Sequence, residues 1–383
     1  MVSTKWMAVG LTAAAAVAQV AAAPGDVGTT IAGYKFVEEV SQQARIDLDV
    51  RAVENAKSNY AFARTVYTKG SNSEAEEGGK RTLQGFSTEY ASPGIARTEP
   101  LAIMSKVFWG DWDYANKHLL AALGGFNSAK YGLYGSGALA KTAAARQQII
   151  KKVIKFSLIP QYVQRELAKT MTDYKKGLES AAEHWDEAWA FYAGSLENGS
   201  GNGYSAYILA EKRSANFGTK AGGRSRVNQR FLAAMKKGQG QVSKPGQVGA
   251  LLQTVKCIRG LMVVPAIQGC LRYSYKVSDP AVSSAANLAK ESAEAWAFCA
   301  AALPGLASVD RAAAGRVRFQ TFLGGNKRVN WPIVRAAFGA KNLNKMGVRC
   351  SDVGALNVEY PQSQHSVCKD GKLSNPNQGT NFC

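Results

Sequence analysis

Two short segments hold the residues best placed to do chemistry. Residues 187–191 read Glu-Ala-Trp-Ala-Phe, and residues 294–298 read Glu-Ala-Trp-Ala-Phe again. On a helix turning about 100° per residue, His184, Glu187 and Phe191 share one narrow arc. In the second copy Glu291, Glu294 and Phe298 share the equivalent arc. Side chains at i and i+3 project side by side, so one helix offers a His-x-x-Glu pair and its relative a Glu-x-x-Glu pair. Three carboxylates and one imidazole suit a hard or borderline cation such as iron. The spacing therefore predicts that His184, Glu187, Glu291 and Glu294 ligate one ion between two sister helices, with Glu183 and Asp186 as secondary ligands. Trp185, Trp189, Tyr192 and Trp296 form adjoining aromatic arcs that would wall off water and strengthen the binding. The competing reading puts each acid on a solvated face or against a cation. The chain has 47 Lys plus Arg against 28 Asp plus Glu, a formal net charge of +19.

Other chemistries find less support. Gly132-Leu133-Tyr134-Gly135-Ser136-Gly137 with Lys141-Thr142 looks like a phosphate loop, but the lysine comes too late and no strand precedes it. Neither Gly-x-Ser-x-Gly nor His-Glu-x-x-His occurs, so no enzyme activity is expected. Three histidines are too few for a site built from many imidazoles. His118, after Asp111, Asp113 and Tyr114, reads as a surface or capping residue, and His365 is given no special role. The basic stretches at Lys151-Lys152 with Lys155, at Arg224, Arg226 and Arg230, and at Lys236-Lys237 read as solvated helix faces. Such faces would bind acidic wall polymers and draw in anionic ferric chelates or carbonate. Nucleic acid is not expected as a partner outside the cell.

The elements that must position these residues are helices. Ala, Leu, Glu, Lys, Gln and Arg fill residues 35–68, 99–123, 138–156, 160–196, 245–276, 281–302 and 308–322, which predicts an all-α fold. Gly-rich breaks fall at 198–203, 218–224 and 238–248. Each copy of the pentapeptide is followed by a basic-aromatic stretch, at 212–217 and 316–322, and a fainter copy starts at Asn59-Tyr60-Ala61-Phe62. A helical bundle of two or three diverged repeat units is expected. The expected divisions are 23–150, 151–245 and 246–349, with an irregular tail at 350–383.

Residues 1–22 combine Lys5, an apolar stretch at 7–18 and small residues up to Ala23, the pattern of a secretory signal peptide. No later run is expected to span a membrane. Cys257, Cys270, Cys299, Cys350, Cys368 and Cys383 all lie in the last third. Outside the cytoplasm they are candidates for three disulfides that tie the tail. The absence of a CxxC pair speaks against zinc. Asn198-Gly199-Ser200 is an N-glycosylation acceptor.

With Glu183-His184-Trp185-Asp186-Glu187-Ala188-Trp189-Ala190-Phe191-Tyr192-Ala193-Gly194, the second Glu-Ala-Trp-Ala-Phe and the leader in view, the chain resembles the algal low-iron-inducible periplasmic iron-assimilation proteins. Some relatives in that family are high-CO2-responsive extracellular proteins. The resemblance covers most of the mature chain. It implies a secreted protein of the periplasmic space or cell surface that assists high-affinity iron uptake. It also implies a role similar to that of the phytotransferrins, which bind ferric iron together with carbonate. Iron (Fe3+ or Fe2+) or a ferric chelate, carbonate and a membrane iron transporter are the partners this would bring. His184 and Glu187 match the family's repeated motif. The phenols Tyr192, Tyr204 and Tyr207 lie near it, as a transferrin-like site would want. The alternative is a structural wall-associated protein that holds acidic polysaccharide on its basic surface.

Overall fold

The computed structural model describes residues 22–125, 142–322 and 328–370. Most of the leader, the glycines at 132–137 with Lys141, and Cys383 lie outside the described residues. Helix dominates, as the composition demands, and several helices start at a side-chain cap. Asn59 Oδ1 accepts from Phe62 N at the start of one helix, and Thr142 Oγ1 from Ala145 N at another. Glu99 caps a helix that has Pro100 in its first turn, and Asp310 accepts from Ala313 N. Each such cap satisfies an amide that the helix itself leaves unpaired.

In chain order the elements are as follows. A two-residue hairpin pairs β1 (Thr30–Ile31) with β2 (Tyr34–Lys35). After it come α1 (Ser41–Ala44), α2 (Ile46–Asn55), α3 (Tyr60–Lys69), α4 (Pro100–Trp109) and α5 (Tyr114–Leu123). Then α6 (Ala143–Val153) passes through a single π turn (Ile154–Leu158) into α7 (Ile159–Lys176). Pro160 explains the π turn: it lacks an N–H, and its ring would press on the carbonyl of Phe156 in a regular helix. Gly177, with φ of +73°, ends α7 in the left-handed conformation, and α8 (Ser180–Ala193) folds back on it. Next come α9 (Tyr207–Phe217), a second hairpin of β3 (Lys220–Ala221) and β4 (Arg224–Ser225), and α10 (Arg226–Val242).

The longest helices, α11 (Val248–Ser278) and α12 (Ala285–Val309), form another helical hairpin. The Cys270–Cys299 disulfide joins them, with Cα atoms 4.5 Å apart. Gly269 lets them approach: a Cβ there would lie 1.9 Å from Phe298 Cδ1. Both helices are long and apolar enough to cross a membrane, contrary to the expectation that no later run would be. Most of that apolar length is buried inside the fold, as in the core helices of a soluble protein. The chain continues through α13 (Arg311–Thr321), α14 (Trp331–Ala337), α15 (Ala340–Met346) and α16 (Cys350–Val353). The described part of the tail, residues 354–370, holds only short turns and is tied by the Cys350–Cys368 disulfide.

The main hydrophobic core runs from Ile31 to Leu356 and takes residues from each of α1 to α16, and a small separate cluster holds Tyr90 and Ala102. Both Glu-Ala-Trp-Ala-Phe segments lie on the second helix of a helical hairpin, α8 on α7 and α12 on α11. Phe191 and Phe298 are buried, whereas Phe62 of the fainter copy is half exposed.

Candidate metal site

The α7–α8 hairpin brings three potential ligands together in its interior. Glu166 on α7 and His184 and Glu187 on α8 each place a ligand atom within 4.8 Å of the other two. His184 Nδ1 lies 2.9 Å from Glu187 Oε2 and 3.3 Å from Glu166 Oε2. Both carboxylates are buried, at 1% and 3% exposure. Phe191, one turn beyond Glu187, packs edge-on against Tyr162 and Phe86 at 4.9 and 5.1 Å. Gln43 of α1 closes another side, donating to Glu187 Oε1 at 2.9 Å and to Glu76 Oε1 at 3.2 Å.

The charges are distributed unevenly. Burial alone would raise the Glu166 carboxyl, but the His184 ring and the charges of Lys169 and Arg165 hold it down at about 2. Burial and the Glu166 charge push Glu187 up to about 7. Burial would lower His184, yet its contacts with Glu166 and Glu187 raise it to about 9. Near neutral pH the cluster is a carboxylate, an imidazolium and a carboxyl poised between its two forms. A cation entering here would have to displace protons from His184 and Glu187 and to compete with Lys169, 3.1 Å from Glu166 Oε2.

Other buried carboxylates show what a structural acid looks like in this protein. Asp47 accepts from Ser195 Oγ and Leu196 N, and Asp49 from the amides of Ser71 and Asn72. Glu197 accepts from the amides of Gly199, Gly201 and Gly203 and shapes the glycine-rich loop. Those acids are satisfied by N–H and O–H donors. Glu187 keeps one such donor, Gln43, but Glu166 and Glu187 otherwise face an imidazole, each other and the cations of Arg165 and Lys169. A second grouping, Glu76, Glu183 and Glu187, shares Glu187 and leads outward, from buried Glu187 through half-buried Glu183 to exposed Glu76.

The predicted four-ligand centre does not form. Glu294 lies 3.4 Å from Lys152 Nζ, and Glu291 is paired with Lys276 of α11. The two acidic arcs face different neighbours: α8 packs on α7, α10 and α1, and α12 on α11, α6, α13 and α4. Asp186 is a structural acid as well. Its carboxylate accepts from Tyr34 Oη at 2.5 Å, Val37 N at 2.7 Å, Glu38 N at 3.0 Å and Gln239 Nε2 at 3.3 Å, and so pins the β1–β2 hairpin to α8.

The predicted aromatic wall also faces elsewhere. Trp185 Nε1 donates to Met235 O, Trp189 Nε1 to Ile31 O, and Tyr192 Oη to Asn228 Oδ1. Trp296 stacks edge-on against His118, with centroids 4.8 Å apart. His118 is therefore no surface residue: it is buried between Trp109, Tyr114 and Trp296, and burial keeps its ring neutral. His365 has a structural role, since its Nδ1 accepts from Leu356 N and holds the tail. Tyr204 lies under Lys155, and the Tyr207 hydroxyl faces Gly199 O at 3.5 Å. Asn198 is exposed, as a glycan acceptor must be.

Glu166 was not singled out by the repeated motif because it belongs to the preceding helix. Its signal was the Arg165-Glu166-x-x-Lys169 run beside the three-residue break at 177–179, which forces α7 and α8 to pack together. A family model described as low iron-inducible periplasmic protein matches residues 7–372, nearly the whole chain. No curated protein and no solved structure matches it.

Proposed function

The chain belongs to the low iron-inducible periplasmic protein family, and from that premise we propose that it binds iron at Glu166, His184 and Glu187 and passes it on during uptake, without catalysing a reaction. The family is periplasmic, so the protein works outside the cytoplasm. The observation that carries the proposal is the buried carboxylate–imidazole–carboxylate group, which has no loop or cap to hold. Two oxygen donors and one nitrogen suit iron in either oxidation state better than they suit a thiol-seeking ion. The coordination is incomplete, which fits a carrier: a cargo ion keeps sites for water, a chelate or carbonate and can leave again. Lys169 and Arg165 supply positive charge beside the ligands that such an anion would meet. Glu183 and Glu76 form the outward path.

The test is calorimetric titration of the full chain with Fe2+ under anaerobic conditions and with ferric citrate. Wild-type protein should bind one ion per chain, and Glu187→Gln and Glu166→Gln should each weaken binding by about 10–100-fold. Glu294→Gln should bind as wild type. Undiminished binding in both Glu187→Gln and Glu166→Gln would reject the site.

A further inference from the structure

Away from the acidic group, a cavity of about 490 Å³ opens where α4, the π turn, α7, α11, α12 and α15 converge. Its walls are aliphatic and sulfur-bearing: Leu101, Met104, Met262, Val263, Ala301 and Met346. Ala266 and Gly305 put almost no side-chain volume into it, and Gly260 lets the Gly347 carbonyl approach α11 closely. Three cations, Lys256, Arg259 and Lys345, also line it, together with the Gln164 carboxamide. Arg259 is held in place by Gln164 Oε1 at 2.9 Å and lies 3.5 Å from buried Glu99. Glu99 offsets Arg259, and Lys345 adds a further positive charge to the lining. A second cavity, of about 310 Å³, shares Met104 and Ser308 and continues the apolar surface along α4 and α12.

Pockets of this size take small molecules, and their few polar groups fix the orientation of the ligand. An apolar floor with positive charge fits a ligand with a hydrocarbon body and one anionic head. Thioether side chains adapt to flexible chains because they rotate freely and remain apolar. We propose that this cavity binds a free long-chain monocarboxylate, with the acyl chain between α4 and α12 and the carboxylate toward Lys345 and Arg259. The inference does not rest on the iron reading, since none of Glu166, His184 and Glu187 lines the cavity.

The test is titration of the full chain with octanoate, dodecanoate and palmitate, followed by calorimetry and by displacement of a dansyl-labelled undecanoate. Saturable binding of dodecanoate is expected, with dodecanol about tenfold weaker. Gly305→Leu should fill the pocket. A Cβ at Gly305 meets only the flexible end of Met346, at 3.1 Å, so the helix should keep its circular dichroism. It should cut dodecanoate affinity by at least about tenfold, and Ala301→Met is a second filling variant should Gly305→Leu misfold. Lys345→Glu should weaken dodecanoate but leave dodecanol unchanged. Absence of saturable binding to any of the three acids, or affinity untouched by both the filling variant and Lys345→Glu, would overturn the proposal. So would capture by phosphatidylglycerol vesicles that Gly305→Leu abolishes while free dodecanoate fails to bind, because the pocket would then serve a bilayer.

Discussion

On the proposed reading, Glu187 and His184 carry the protons that a bound cation would have to displace, which would couple binding to pH. His184 is raised to about 9 and Glu187 to about 7, with Lys169, Arg165, Asp173 and Gln43 as the surrounding charged and polar groups. Iron affinity should therefore rise between about pH 6 and 9, with protons released on binding. Calorimetry in buffers of different ionisation enthalpy measures that release, and pH-independent affinity would contradict the assignment. The metal-free protein should show the opposite trend in stability. The His184 contribution is present below its ordinary 6.5 and lost as pH rises through about 9. The Glu187 contribution is present below its ordinary 4.5 and lost as pH rises through about 7. Glu166, depressed to about 2, contributes above its ordinary 4.5 and changes only in strong acid. The melting temperature of the metal-free chain should thus fall from about pH 6 to pH 9. Glu187→Gln should flatten the part below about pH 7, which differential scanning calorimetry can check.

At the scale of the elements, the α11–α12 hairpin depends on a glycine that makes room for a ring. Gly269→Ala would drive a methyl into Phe298, whose ring is buried between α11 and α12 and has nowhere to retreat. We expect a loss of about 1–3 kcal/mol or more. Gly315→Ala is the matched control. Nothing stands within 4 Å of its added Cβ in α13, and the change should stabilise by about 0.5–1 kcal/mol. Opening the Cys270–Cys299 bridge, which spans 29 residues, should cost about 3–4 kcal/mol in a chain-entropy account. Denaturant melts of the three variants would rank these effects, and a Gly269→Ala protein as stable as wild type would mean that the hairpin is packed differently. The two helical hairpins also explain what could be read in advance. Composition made the helices legible, and the spacing of His184 and Glu187 put them on one arc, which holds. Periodicity orients residues within a helix but does not say which helix an arc will face. Glu294 and Glu291 therefore met Lys152 and Lys276, while Glu187 met Glu166 on a helix with no copy of the motif. Asp186 escaped for a related reason: its donors come from a hairpin about 150 residues away. His118 sat among acidic and polar neighbours in sequence, and only the packing of α5 on Trp296 shows it to be core.

For the whole molecule, the net charge of +19 and the buried acidic group make separable demands. Exposed lysines and arginines interact through water and salt, and their reach shrinks to about 8 Å at physiological ionic strength. Buried pairs are screened far less. If the basic surface anchors the protein to acidic wall polymers, its binding to polygalacturonate should weaken steeply with added salt. It should be the same for wild type and Glu187→Gln, because Glu187 is absent from that surface. If the same field also gathers anionic ferric chelates, the rate of iron capture from ferric citrate should fall with ionic strength. The affinity for free Fe2+ at the buried group should change much less. Stopped-flow capture and equilibrium titration at low and high salt, with and without saturating polygalacturonate, separate the two roles. A purely structural wall protein would show the polymer binding and no Fe2+ affinity at any salt concentration. A carrier would show both, with polymer slowing the capture of the anionic chelate but leaving the equilibrium for Fe2+ intact, since the polymer occupies the cations outside and the ion is held by the acids within.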